Sequence, residues 1–145
     1  IPWDPVTTFE VAAANGFKAC ADGPMTGTYD FADIDDAYLA IHHWLKWYKF
    51  GFTRTFDNLS LEIRNGRLTR DEAIAVVRER GEERPVDAID AFCAYVGITV
   101  EHFDDVVERF RNPDIWVRRD GLLMIDDFLS PYWTWGLTAA CGAGG

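Results

Sequence analysis

A mainly α-helical fold, an array of about six helices with one short β-hairpin near the C-terminus, is what this sequence predicts. Three observations lead there. Apolar residues recur at three-to-four spacing in one segment after another, and glycine or asparagine closes most of those segments. No alternation of strands and helices suggests a βαβ unit. The strand-like stretches are 115–117 and 122–125, placed around the turn residues Arg119-Asp120-Gly121.

Each helix has its own signals. Asp4-Pro5 reads as an N-cap followed by proline in the first turn, and the helix carries Phe9, Val11 and Ala12 before stopping near Asn15-Gly16. Residues 17–32 read as a loop, because Gly23, Pro24, Gly27 and Asp30 break any period. A long helix is expected from about Asp33 to residue 50, with Ile34, Tyr38, Ile41, Leu45 and Tyr48 on one stripe and Phe50-Gly51-Phe52 as its end. Helix 54–65 closes at Asn65-Gly66. Thr69-Arg70-Asp71-Glu72 is a capping box opening a helix that runs to Arg80 and stops at Gly81. Pro85 opens the next, with Ile89, Phe92, Cys93 and Val96 on one face and Gly97 beyond it. Thr99 caps the last, which carries Phe103, Val106, Val107 and Phe110 and ends before Asn112-Pro113. The organisation expected is a helical domain over 1–133 and a glycine-rich, frayed tail over 134–145.

Composition limits the class. A chain of 145 residues with 48% apolar and 26% charged residues suits one globular domain rather than a disordered segment. Six Trp and ten Phe provide enough large side chains for a substantial core. No run approaches the roughly 18–20 apolar residues that cross a bilayer, and no basic segment followed by an apolar one opens the chain. The first residue is Ile1 rather than Met, so a fragment or processed product is expected. Cys20, Cys93 and Cys141 are odd in number and far apart, which speaks against a disulfide framework or a zinc site and for a reducing, cytoplasmic setting. A net charge of -10 disfavours nucleic acid and anionic membrane as partners.

Against that acidic background, one window is basic. Lys46, Lys49, Arg54, Arg64, Arg67 and Arg70 face only Asp57 and Glu62, a local net charge of +4. Guanidinium forks bind phosphate and carboxylate bidentately, and a nucleotide sugar offers such groups. The same charges also suit a solvated face whose arginines pair with nearby acids. Asp33, Asp35 and Asp36 fit the first turn of the helix expected there, where the helix dipole favours acids. Asp33 and Asp36, three apart and so on one face, are also candidates for a metal or substrate-hydroxyl contact. His42 and His43 are adjacent, so at most one can face a site. Trp44, Trp47, Tyr48, Phe50 and Phe52 form an aromatic band that serves as core or as a stacking platform for a base or sugar ring. The chain has neither H-E-x-x-H nor a Ser-His-Asp signature, and neither G-x-x-x-x-G-K-[ST] nor an S-G-G-x-D-S loop.

The stretch 48–72, YKFGFTRTFDNLSLEIRNGRLTRDE, together with IPWDP at the start, GFKACADGPMTGTYDFADIDD, FRNPDIW and the later SPYW, resembles N-acetyl sugar amidotransferases of lipopolysaccharide synthesis, which are related to the PP-loop ATP pyrophosphatases. The resemblance covers about 1–133 and matches the C-terminal, helical part. It implies that ATP, with Mg, activates the oxygen of an acetamido group on a nucleotide-linked sugar, and that ammonia then leaves an acetamidino group. The partners it implies are a glutaminase with its ammonia-channel subunit and a PP-loop domain. ATP is expected to bind to the complete enzyme and not to this chain alone. Lys49, Gly51, Arg54, Arg64, Gly66, Arg70 and Glu72 match the motif. Lys49, Arg54, Arg64, Arg67 and Asp36 are the expected substrate-binding residues, with Arg70 and Glu72 mostly structural. An alternative is a binding or carrier module, or a peptide precursor, with a modifiable tail at Cys141 and Gly144-Gly145.

Overall fold

The computed structural model describes residues 3–129. Among them are six helices and a two-stranded antiparallel hairpin: α1 (Pro5–Ala14), α2 (Leu39–Phe50), α3 (Arg54–Arg64), α4 (Arg70–Arg80), α5 (Val86–Val96), α6 (Val100–Arg109), β1 (Trp116–Arg119) and β2 (Leu122–Ile125). The mainly α architecture agrees with the sequence. Residues 134–145, with Cys141, lie outside the described residues.

The caps appear where the side chains call for them. Asp4 accepts the Val6 amide, and Thr69 and Glu72 complete a reciprocal capping box. Thr99 accepts the His102 amide. The hairpin pairs Trp116 with Ile125 and Arg119 with Leu122. Asp120 and Gly121 turn the chain with φ of 50° and 82°, as a tight two-residue connection requires.

One boundary differs from expectation. The helix expected from Asp33 begins only at Leu39, so Asp33, Asp35 and Asp36 are not its first turn. Asp33 has a left-handed backbone, φ 58°, which a right-handed helix cannot contain. Its carboxylate is drawn instead to Arg54 on α3, at 2.8 and 3.2 Å. Asp36 makes a local turn, its Oδ1 accepting the Tyr38 amide at 2.8 Å. Ile34, expected on the helix stripe, is therefore exposed.

α2 is the centre of the fold. Its Ile41, Trp44, Trp47 and Tyr48 form the main core with Ile89 and Cys93 of α5, Phe103 and Val107 of α6, Trp116 of β1, and Phe128. Val96 and Phe110, expected on the inner faces of α5 and α6, are exposed instead, Val96 as the last residue of α5 and Phe110 as the C-cap of α6. A smaller cluster of Leu59, Ala73 and Val77 joins α3 to α4. α1 docks through Phe9, which stacks on Phe31 at 4.4 Å, and Phe31 stacks in turn on Tyr29.

The C-terminal end of α2 is closed by the segment that leads into the hairpin. The indole N–H of Trp116 donates to the carbonyls of Trp47 (3.2 Å) and Tyr48 (3.1 Å). Asn112 donates its backbone N–H to the Tyr48 carbonyl and its side-chain amide to that of Lys49. These donors satisfy carbonyls that a helix end leaves without partners. Gly51 adopts the left-handed cap, φ 73°, and a Cβ there would meet Ile125 at 2.5 Å, so both conformation and space require glycine.

Candidate functional site

The basic window comes from the end of α2, the whole of α3 and the turn into α4. Arg54 opens α3 and Arg64 closes it, so their Cα atoms stand about 15 Å apart along the axis. Arg54 turns to Asp33 and Arg64 to the Ser60 carbonyl, so they do not converge on one point. They can only meet separate parts of an extended ligand.

Carboxylates hold three of these six cations, Lys46, Arg54 and Arg67. Arg54 forks onto Asp33 and also approaches Asp57 at 3.6 Å. Lys46 bonds Asp57 and lies over the Phe52 ring at 4.6 Å. Arg67 bridges two acids, reaching Asp4 at 2.8 and 3.0 Å and Glu62 at 2.6 and 2.8 Å. Arg70 donates to the Leu129 carbonyl. Two cations differ. Arg64 is exposed and donates only to the Ser60 carbonyl, at 3.2 Å, among the described residues. Lys49 is exposed, has no carboxylate partner among the described residues, and lies 5.8 Å from the Phe110 ring. Asp36, the remaining candidate, sits in the turn before α2 with Oδ1 engaged by Tyr38. The fold thus gathers Arg54, Asp33 and Asp57 in one group and Asp4, Glu62 and Arg67 in another, and leaves Lys49 and Arg64 outside both.

The Arg67 group carries a further buried partner. The Tyr29 hydroxyl donates to Glu62. Burial, and then the Glu62 carboxylate, raise the phenol well above its ordinary value. The Arg67 guanidinium, partly offset by desolvation, holds Glu62 below the usual carboxylate range.

Around Arg54, the structure adds residues that the sequence did not single out. The Asn58 side chain accepts the Thr28 amide at 2.9 Å. Gly27 passes so close that a Cβ there would strike Asn58 and, at 2.8 Å, Arg54. His43 is 8% exposed and its Nδ1 has no partner among the described residues, whereas His42 is exposed. Burial lowers His43, outweighing the opposing pull of Asp33. Thr53 and Thr55, each 1% exposed, donate their hydroxyls to Glu83 at 2.5 and 2.7 Å. No motif marks these residues, because their partners lie about thirty positions away in sequence.

The His43 shift has a measurable consequence. Its folded pKa lies below its unfolded one, so a proton binds the unfolded chain more readily. Stability is therefore full above about pH 6.5 and falls as pH drops from there towards the folded value. Glu62, also depressed, adds a further loss below its ordinary value of 4.5. Urea unfolding at pH 7.5 and 5.5 will show lower stability at the acid value, and His43→Gln will flatten that difference. An unchanged difference in the variant would place the titration elsewhere.

No three His, Cys, Asp or Glu side chains converge to hold a metal ion among the described residues. No helix among them is long and apolar enough to cross a membrane. No curated protein and no solved structure matches the chain. Residues 15–129 match a family model described as LPS biosynthesis protein WbpG-like, C-terminal domain. That match takes in the loop with Asp33, the helices α2 to α6 and the hairpin. Spanning well over half of the chain, it shows that the chain belongs to the WbpG-like C-terminal domain family of LPS biosynthesis proteins.

Proposed function

We propose that this chain is the substrate-side domain of an ATP-dependent amidotransferase that converts an N-acetyl group on a nucleotide-linked sugar to an acetamidino group. Membership of an LPS biosynthesis family supports the pathway. The observation that carries the site is the contrast within the basic window: Lys49 and Arg64 are exposed with no acid partner among the described residues, while Lys46, Arg54 and Arg67 are held by acids and Arg70 is tied to the Leu129 carbonyl. On this reading Lys49 and Arg64 bind phosphate or uronate oxygens at separate points of the sugar nucleotide. Arg54 joins them when the ligand displaces or shares Asp33. Arg67 positions α1 against the end of α3, its outer edge facing the ligand. Asp36 offers Oδ2 to a sugar hydroxyl, its Oδ1 being taken by Tyr38.

The sequence contains no phosphate-loop motif, which supports placing ATP outside this chain. Activation by ATP with Mg is assigned to a PP-loop domain. Ammonia delivery is assigned to a glutaminase with its channel subunit. The work of this chain is to bind and orient the sugar. The carrier alternative rests on residues 134–145, outside the described residues, and gains no support from the fold.

The test is amidination by the reconstituted enzyme. A charge-assisted hydrogen bond contributes about 1.5–3 kcal/mol, so Lys49→Gln and Arg64→Gln will each lower kcat/KM by roughly tenfold to a hundredfold. Both side chains are exposed, so the melting temperature will barely move. Full turnover by both variants overturns the assignment.

A further inference from the structure

A second cation pair lies outside the basic window. Arg80, at the end of α4, and Arg84, in the turn before α5, line an open cleft of about 290 Å³ together with Met25, Thr26, Ala40, Glu83 and Pro85. We propose that this cleft binds a diphosphate group, and that on the reading above it is the subsite for the diphosphate of the nucleotide-linked sugar.

Four observations support this. First, both guanidinium groups are fixed yet only partly used. Arg80 commits Nε to Glu83 at 2.8 Å, and its two Nη groups have no bond among the described residues. Arg84 commits one Nη to both oxygens of Asp104, at 2.8 and 3.0 Å, leaving Nε and the other Nη. Unused N–H donors on two guanidinium forks match the oxygens of a diphosphate. Second, Arg84 is held in place from below: its guanidinium carbon lies 5.0 Å from the centre of the Trp44 ring, and Trp44 is fully buried. Little side-chain freedom remains to be lost on binding.

Third, the one acid in the cleft wall is already satisfied. Glu83 accepts from Thr53, Thr55 and Arg80, so both of its oxygens are engaged within the wall. Glu83 itself holds a left-handed backbone, φ 57°, in the turn that carries both arginines. Its pinned carboxylate therefore fixes where they stand. Fourth, the cleft has room for the ligand. Pockets for drug-sized ligands occupy about 300–1,000 Å³, and this cleft lies just below that range. It suits a diphosphate with part of an attached ring, while the remainder of a sugar nucleotide extends outside it.

Inorganic pyrophosphate is the probe, titrated into the full 145-residue chain by calorimetry, with the arginine Nε–H signals followed by NMR. The expected result is saturable binding that weakens with added salt and shifts the Arg84 Nε–H signal. Arg80→Gln and Arg84→Lys will each weaken it at least tenfold. Arg84→Lys keeps the charge above Trp44, so circular dichroism and the melting curve will show the fold retained. Arg118→Gln, at an exposed hairpin cation outside both sites, will change it less than twofold. Absence of binding at millimolar pyrophosphate, or unchanged binding in both cleft variants, overturns the proposal. A loss confined to Lys49→Gln or Arg64→Gln also overturns it, and places the diphosphate at the window cations instead. Pyrophosphate binding at the cleft with full amidination by the window variants would leave this subsite standing and remove the site proposed above.

Discussion

Trp44→Ala will destabilise the fold by about 3–5 kcal/mol, the loss typical of truncating a large buried aromatic side chain. Trp44 is 1% exposed and stands where three elements meet. Its ring packs edge-on against Tyr48 at 4.9 Å and is stacked with Phe103 of α6 at 6.4 Å. Arg84 covers its outer side. No single neighbour can collapse into the space, because α2, α6 and the turn at residues 81–85 are each anchored elsewhere. The loss thus combines transfer energy, a cavity and a broken cation–π contact. Urea unfolding measures it. Trp44→Phe will recover part of the loss, since it restores ring volume without the full indole. A cost below about 1.5 kcal/mol for Trp44→Ala would mean that the site repacks freely, contrary to this account of the core.

Glu83→Ala will cost about 2–5 kcal/mol, although glutamate is not a core residue. The reason is what it leaves behind. Thr53 and Thr55 are both 1% exposed, and both give their hydroxyl hydrogens to this carboxylate. Without it two buried donors lose their acceptor, and each such orphan costs about 1–3 kcal/mol. Arg80 also loses its partner, but with its side chain a third exposed that pair adds less than the two buried hydroxyls. The variant carrying Thr53→Val, Thr55→Val and Glu83→Ala together will be less destabilised than Glu83→Ala alone, because donor and acceptor leave together. If the triple variant is the weaker of the two, the hydroxyls have other acceptors and the network reading is wrong.

The sequence by itself determined the fold class, most helix boundaries and the family. Caps and stops are local: Asp4, Thr69 with Glu72, Thr99, Gly51 and Gly97 each act within a few residues, so their meaning is visible along the chain. The Asp-Gly turn of the hairpin is equally local. The expected substrate residues were legible as a charge anomaly, for the same reason.

Only the tertiary structure decided which of those charges remain available. Arg54 and Arg67 look the same as Arg64 in sequence, yet Asp33 lies 21 positions from Arg54, and Asp4 lies 63 positions from Arg67. Such pairings depend on how α1, α3 and the loop before α2 come together, and no periodicity encodes them. The same contact shortened α2 at its start. A helix from Asp33 would satisfy local propensity, but a bidentate ion pair with Arg54 in a partly buried setting outweighs a helix-dipole preference of about 0.3–1 kcal/mol. The arginine cleft went unread for a like reason. Arg80 and Arg84 are two of several charges flanking Gly81 in sequence, and only the buried hydroxyls of Thr53 and Thr55, fixing Glu83 between them, turn the two side chains into one wall.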